Sequence, residues 1–206
     1  ADHRGSQPSA DELARIAADA RVGGMLAGKR GIVLVHVGDG DDGLALLREV
    51  CGRHHVPRAQ FLPTHLNRHA GLLDEAREWA GQGGQVDLTT STTPELIAAG
   101  DVPAAQALAH LLEAGVDPAR ISLSSDGQAS LPDFDAHGVL RGLQEAGVDS
   151  LHESLVEAVH DHGVAVEQAL ATATRSPADA WGLSRKGRLE VGADADILLL
   201  DPDALA

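Results

Sequence analysis

Residues 31–36 (GIVLVH) decide the fold, because here an apolar run of β-forming residues ends on a histidine. Similar runs, each ending on a polar residue, recur in residues 61–65 (FLPTH), 86–90 (VDLTT) and 121–126 (ISLSSD). Each of the first three runs is followed by a window in which Leu and Ala recur at three- and four-residue spacing, which is typical of an amphipathic helix. These windows are residues 42–51, 71–80 and 102–114. The pattern predicts successive βα units.

The spacing of the runs predicts how the strands pair. They begin roughly 25 to 35 residues apart, as a parallel sheet with crossover helices requires. His36, His65 and Asp126 fall at the carboxyl ends of three runs, where a (β/α)₈ barrel places its functional groups. A complete barrel has eight strands and usually about 250 residues. We therefore predict an α/β fold that forms half of such a barrel.

The remainder of the chain shows a change of character. Residues 150–162 and 166–173 again have helical spacing, after an irregular stretch that contains Pro132 and His137. Residues 187–190 suggest a turn and residues 195–201 (ADILLLD) a strand, too late in the chain to join the barrel. We expect a partial barrel over residues 1–182 and a segment of a small β-domain over residues 183–206.

Composition excludes several classes of partner. The formal net charge is -15 and the chain has only two lysines, which argues against nucleic acid, since phosphate binding depends on Lys and Arg. The longest apolar runs are far too short to span a bilayer, and no secretory signal is evident. A single cysteine, Cys51, excludes an internal disulfide. We expect a cytoplasmic protein without a membrane partner.

Two histidines and one aspartate at the ends of parallel strands form a ligand set suited to Zn²⁺ or a similar divalent ion. Neutral imidazoles bind the metal, and a carboxylate can both contact it and accept a proton from water. An alternative stays open at this point, in which His36 and His65 merely hydrogen-bond to neighbouring carbonyl groups at the barrel mouth.

Longer motifs surround these residues. They are DHRGS (2–6), RVGGMLAGK (21–29), HVGD (36–39), LPTHLNR (62–68), LSSDGQAS (123–130) and the segment TRSPADAWGLSRKGRLEVGADADILLLD (174–201). Together they resemble the amidohydrolase superfamily and, within it, the isoaspartyl (β-aspartyl) dipeptidases. The resemblance covers nearly the whole chain and implies the C-terminal half of the barrel, followed by a strand of a small β-sandwich.

The resemblance implies a role for each candidate site residue. His36 and His65 would bind the more exposed of two Zn²⁺ ions, and Asp126 would bind the other ion and act as general base. Arg4 and Arg68 would bind substrate carboxylates, and Ser130 would contact the substrate. A β-aspartyl dipeptide carries two carboxylates, which arginines can bind through paired hydrogen bonds. Without this context, the two arginines would be interpreted as solvated loop charges.

The implied activity is hydrolysis of a small β-aspartyl dipeptide by a metal-bound hydroxide, in a homo-oligomer. The family also has a His-x-His pair on its first strand and a carboxylated lysine that bridges the metals, and neither is found before His36. We therefore expect this chain alone to be inactive. Two alternatives remain, namely another amidohydrolase that acts on cyclic amides or N-acyl amino acids, and a non-catalytic fragment.

Overall fold

The computed structural model describes residues 7–135, 137, 139–201 and 205. All four predicted strands form, with ends that differ from the prediction by at most two residues. They are β1 (Val33–His36), β2 (Phe61–Thr64), β3 (Val86–Thr89) and β4 (Ile121–Ser124).

The four strands form two parallel pairs. β1 pairs with β2 so that His36 lies opposite Thr64, and β3 pairs with β4 so that Thr89 lies opposite Ser124. The two pairs meet where the backbone N–H of Leu66 donates to the carbonyl of Asp87 at 3.2 Å. β2 and β3 are buried along their whole length, as expected for central strands of a parallel sheet. The carboxyl ends of the strands therefore lie close together.

Helices follow or precede the strands and cover them. They are α1 (Ala10–Ala27), α2 (Ala45–Arg53), α3 (Ala70–Gly81), α4 (Pro94–Ala99), α5 (Ala104–Glu113), α6 (Ser150–His160), α7 (Val166–Ala173) and α8 (Arg175–Trp181). Trp79 and Phe61 are the largest fully buried side chains, and otherwise the core consists mainly of Leu, Ala, Val and Ile. Five helices correspond to the windows predicted from sequence, whereas α1, α4 and α8 were not predicted.

The segment after Asp126 was expected to be irregular and is instead a β-hairpin. Strands β5 (Ser130–Phe134) and β6 (Leu140–Glu145) pair antiparallel, with a register shift between Asp133 and Phe134. Pro132 gave the impression of a loop, yet a proline is tolerated in a strand at an edge or near an irregularity. The prediction of an irregular segment was therefore wrong for the residues that follow Asp126.

The tail does not contain the predicted strand as a hydrogen-bonded element. Residues 194–200 lie outside any helix or strand, because no partner strand is present among the described residues. Ile197, Leu198 and Leu199 are exposed, and the exposed fraction of Leu199 is 90%. The assignment of residues 183–206 to a small β-domain stays a prediction. No helix in the described part of the chain is long and apolar enough to cross a membrane.

Candidate active site

The parallel register of β1 and β2 brings two histidines together. His36 ends β1, and His65 directly follows β2. His36 Nδ1 and His65 Nε2 are 2.9 Å apart, and the ring centroids are 4.9 Å apart. His36 is exposed, whereas His65 is only 4% exposed. The imidazoles therefore contact each other at the carboxyl ends of the strands.

His65 is held in one orientation by its surroundings. Its backbone adopts a left-handed φ of 66°, which is uncommon for a residue with a side chain. Its Nδ1 lies 2.5 Å from the hydroxyl of Thr89 at the end of β3. When Nδ1 donates this hydrogen bond, Nε2 keeps its lone pair and points towards His36. This is the arrangement found for metal-binding histidines, whose second nitrogen is fixed by a hydrogen bond.

Asp126 completes the group from a turn after β4. Its φ is 49°, again in the left-handed region, and its carbonyl accepts from the N–H of Ala129 at 3.0 Å. Ser125 Oγ accepts a hydrogen bond from the N–H of Gly127 at 3.2 Å. His36, His65 and Asp126 each offer one ligand atom, and these atoms lie within 4.8 Å of one another. Two imidazole nitrogens and a carboxylate at these separations fit a divalent cation such as Zn²⁺.

A cavity of about 710 Å³ opens beside this group. Its polar side includes His65, Asn67, Arg68, Thr89 and Asp126. Its apolar side is formed by Leu131, Pro132, Leu140 and Leu143 of the hairpin and by Leu96 and Ala99 of α4. The size lies within the range of ligand-binding clefts, as does the combination of apolar walls with a few polar groups.

Asn67 ties the loop after β2 to the neighbouring strand. Its amide oxygen accepts from the N–H of Thr89 at 2.9 Å, and its amide nitrogen donates to the carbonyls of Thr89 and Val102 at 3.0 and 2.8 Å. This buried side chain therefore satisfies backbone groups on two segments and fixes the loop that also carries Arg68.

Arg68 lines the cavity next to an acidic residue. Burial raises the pKa of the Asp101 carboxyl, while a hydrogen bond from Thr92 and the nearby charge of Arg68 oppose that rise. The Thr92 hydroxyl donates to Asp101 Oδ2 at 3.1 Å. Arg68 thus lies half-buried at the cavity wall, not on a fully solvated loop.

The structure groups most of the residues that the sequence singled out. His65, Arg68, Asp126 and Ser130 all line the cavity, and His36 adjoins it through His65. Arg4 lies outside the described residues, and so its predicted role stays a prediction. The sequence interpretation gave no role to Thr89, Asn67 or the apolar hairpin wall. Thr89 could have been suspected, since it lies at the polar end of the run over residues 86–90.

Asp87 is the second residue of β3 and is buried, with only 4% of its surface exposed. Its Oδ2 accepts from Thr64 Oγ1 and Ser124 Oγ, each at 2.6 Å, and its Oδ1 accepts from Ser122 Oγ at 2.5 Å. Burial raises the pKa of Asp87, and these three hydrogen bonds oppose the rise. An acidic residue inside an otherwise apolar strand was the available signal for this network.

Solved structures of beta-aspartyl dipeptidase from Fervidobacterium islandicum AW-1 are similar to the chain along nearly its whole length. One of them, a complex with the β-Asp-Leu dipeptide, has 36% sequence identity and a TM-score of 0.86. The match covers 99% of this chain and 52% of that protein. A second structure of the same enzyme has 31% identity and a TM-score of 0.83. The chain therefore spans about half the length of these relatives.

Shorter similarity extends to enzymes named for other substrates. The chain is 38% identical to allantoinase from Enterococcus faecalis over 71 residues, which is 34% of this chain and 15% of that protein. Residues 33–206 match the amidohydrolase family, and this range includes the three grouped residues His36, His65 and Asp126 as well as Arg68 and Ser130. The chain therefore belongs to the amidohydrolase family.

Proposed function

We propose that this chain is the C-terminal half of a (β/α)₈ barrel in a metal-dependent hydrolase of β-aspartyl dipeptides. The observation that carries the proposal is the opening of the His36, His65 and Asp126 group into the cavity that Arg68 and Ser130 also line. The similarity to a beta-aspartyl dipeptidase over 99% of the chain supports the same assignment. The whole protein's activity would include residues that this chain does not supply.

His36, His65 and Asp126 would hold zinc, of which the whole site would contain two ions. Bound zinc lowers the pKa of water and so provides a nucleophile near neutral pH. His65 is suited to this role because Thr89 holds its Nδ1 and leaves Nε2 directed at the site. The left-handed turn at Asp126 presents a carboxylate to the same point.

Asp126 would act as the general base. Water adds to the carbonyl carbon of the β-amide, and Asp126 removes the water's proton. The carbon–nitrogen bond then breaks, and Asp126 returns that proton to the leaving amine, which departs as the free amino acid. The other product is aspartate. No external oxidant or cosubstrate is required, because hydrolysis consumes only the dipeptide and one water.

Arg68 and Ser130, which line the same cavity, would both bind the substrate. The guanidinium of Arg68 can form charge-assisted hydrogen bonds with a carboxylate of the dipeptide. The hydroxyl of Ser130 lies at the start of the hairpin, four residues after Asp126, and can donate to a polar group of the same substrate. Arg4 would bind the second carboxylate, as the family resemblance implies.

A cyclic-amide hydrolase is the second candidate function. Allantoinase from Enterococcus faecalis and dihydroorotase from Halobacterium salinarum are similar to 34% and 28% of this chain, respectively. The ligand set serves either reaction, since both require activated water and a base. The much longer match to beta-aspartyl dipeptidase favours the dipeptide.

A substrate panel on the full-length, zinc-loaded protein that contains this chain tests the proposal. The panel compares β-Asp-Leu, α-Asp-Leu, allantoin, dihydroorotate and an N-acetyl amino acid. We expect hydrolysis of β-Asp-Leu and little turnover of α-Asp-Leu, which has the same composition but a different amide. Preferential turnover of a cyclic amide or of the N-acetyl amino acid would overturn the dipeptidase assignment.

A further inference from the structure

We propose that Asp87 is a positioning residue that fixes the carboxyl ends of β2 and β4, and through them His65 and Asp126. The proposal rests on the proposed function in one respect, namely that His65 and Asp126 bind the metal. Its test measures zinc affinity without any substrate and can therefore be interpreted whatever the enzyme hydrolyses.

The hydrogen bonds of Asp87 reach both ligand-bearing strands. Thr64, which donates to Oδ2 at 2.6 Å, directly precedes His65. Ser124, which donates to the same oxygen at 2.6 Å, lies two residues before Asp126. One carboxylate oxygen therefore joins the last residue of β2 to the last residue of β4.

This connection matters because the backbone supplies only a small part of the link between the two strand pairs. β2 pairs with β1 and β4 pairs with β3, and no ladder joins β2 to β3 in the part of the chain that the structure describes. The hydrogen bonds that link the two pairs include the Leu66 N–H bond to the Asp87 carbonyl, the bonds of the Asn67 amide, the His65 bond to Thr89 and the bonds of the Asp87 carboxylate. Asp87 thus helps set the distance between the two pairs.

Both ligands sit on backbone that must be held in place. His65 and Asp126 have left-handed φ values of 66° and 49°. Such conformations are costly for residues with side chains and persist when the surrounding structure fixes them. A strand end that could shift would let either residue relax, and its ligand atom would then move away from the metal position.

Burial of the Asp87 carboxyl in the strand interior is energetically unfavourable, which indicates that its hydrogen bonds have a role beyond packing. Burial of a polar group is unfavourable unless hydrogen bonds compensate, and Val or Leu would fill the strand interior without that cost. Asp87 receives three hydroxyl donors from two neighbouring strands. Apolar side chains could not join those strands with the same directionality.

Single substitutions separate positioning from general stability. In the full-length zinc protein, we would prepare Thr64→Val, Ser124→Ala, Asp87→Ala and Asp87→Asn, and measure the zinc dissociation constant, kcat, KM and the melting temperature. The matched control is Ser122→Ala, because Ser122 also donates to Asp87 but binds Oδ1 and precedes the end of β4 by two residues.

We expect Asp87→Ala to raise the zinc dissociation constant about 10- to 100-fold, as is common when a residue that orients metal ligands is lost. Thr64→Val and Ser124→Ala should raise it in the same direction, and kcat should fall more than KM changes. Ser122→Ala should lower the melting temperature comparably while leaving zinc affinity near that of the parent. Asp87→Asn should restore most of the affinity, since its amide oxygen can still accept from Thr64 and Ser124.

Two results would overturn the proposal. One is an unchanged zinc affinity in Thr64→Val and Ser124→Ala, which would reduce Asp87 to a stabilising residue. The other is an Asp87→Asn protein that is as impaired as Asp87→Ala, which would show that charge and not hydrogen-bond geometry matters. If Asp87→Ala fails to fold, the hydroxyl variants and Asp87→Asn still decide the question. If the parent protein did not hydrolyse β-Asp-Leu, that result would count against the proposed function and not against the role of Asp87.

Discussion

At the scale of single residues, Asp126 has the most directly testable role. Asp126→Asn keeps the shape and one oxygen of the side chain but cannot accept a proton from water. We expect kcat of the full-length protein to fall about 10²- to 10⁴-fold, the usual contribution of a general base. Most of the bound zinc should remain, because the histidines are unchanged. The measurements are steady-state kinetics with β-Asp-Leu and metal analysis of the purified variant.

The control for this experiment is Asp133→Asn, the same chemical change at a hairpin residue that is not a member of the His36, His65 and Asp126 group. It should have kinetics close to those of the parent. If Asp126→Asn also kept kcat within tenfold of the parent, Asp126 would not be the base, and another group would have to accept the proton.

Arg68 gives a second residue-scale prediction. Arg68→Met keeps a long side chain but removes the charge that would bind a substrate carboxylate. Hydrogen bonds to charged groups contribute about 1.5–3 kcal/mol, so kcat/KM for β-Asp-Leu should fall about 10- to 100-fold, mainly through KM. Arg77→Met is the matched control, because Arg77 lies on the outer face of α3 near Asp74. An unchanged kcat/KM in Arg68→Met would make Arg68 a structural charge.

The three candidate metal ligands were easier to predict from the sequence than the residues that hold them in place. His36, His65 and Asp126 each end a strand-like run, so their convergence followed from the parallel topology alone. Thr89 and Asp87 act through hydrogen bonds across neighbouring strands, at 2.5 and 2.6 Å. Such contacts depend on lateral register, which the strand sequences do not specify.

At the scale of elements, periodicity predicted the parts that bury a large apolar face. β2 and β3 are wholly buried and were assigned from their apolar runs, whereas α1 buries only Ala10, Leu13, Ala17 and Gly24 and has a weak pattern. Its beginning was nevertheless encoded, because Ser9 and Glu12 form a capping box. The β5–β6 hairpin was missed because Pro132 suggested a loop, although the hairpin provides most of the apolar wall of the cavity.

The turn between β4 and the hairpin leads to an element-scale prediction. A Cβ placed on Gly127 would lie 2.5 Å from Val148 Cγ1 and 3.0 Å from Ser125 Oγ. Gly127→Ala should therefore displace the backbone of the turn or force Val148 from its preferred rotamer. The free energy of unfolding should fall by about 1 kcal/mol as a result. Because the same turn carries Asp126, kcat should fall as well. Thermal melting and kinetics of the full-length protein provide the check.

Val148→Ala supplies the internal control for the turn, since it removes the atom that the new Cβ would meet. The Gly127→Ala, Val148→Ala double variant should recover most of the stability and activity relative to Val148→Ala alone. If the two substitutions were simply additive, contact with Val148 would not be the cause of the defect.

At the scale of the whole molecule, large apolar side chains are exposed to solvent in several places. Met25 and Leu26 at the end of α1 are exposed, as are Leu189, Val191 and residues 197–199 of the tail. Leu34 of β1 is 43% exposed, although β1 is part of a parallel pair. Runs of neighbouring exposed apolar side chains, such as residues 197–199, commonly mark contact surfaces, so we expect them to contact other parts of the full protein or another subunit.

These surfaces and the ligand inventory together lead to the final prediction, which concerns the 206 residues expressed alone. We expect this chain to self-associate in size-exclusion chromatography with light scattering, because exposed strand edges and apolar side chains favour association. It should also fail to hydrolyse β-Asp-Leu, since the described residues group only His36, His65 and Asp126 as metal ligands. The full-length protein, assayed at equal zinc concentration, is the control. A rate in the 206-residue chain close to that of the full-length protein would mean that these three ligands suffice and that the bridging lysine and the His-x-His pair are not required for catalysis.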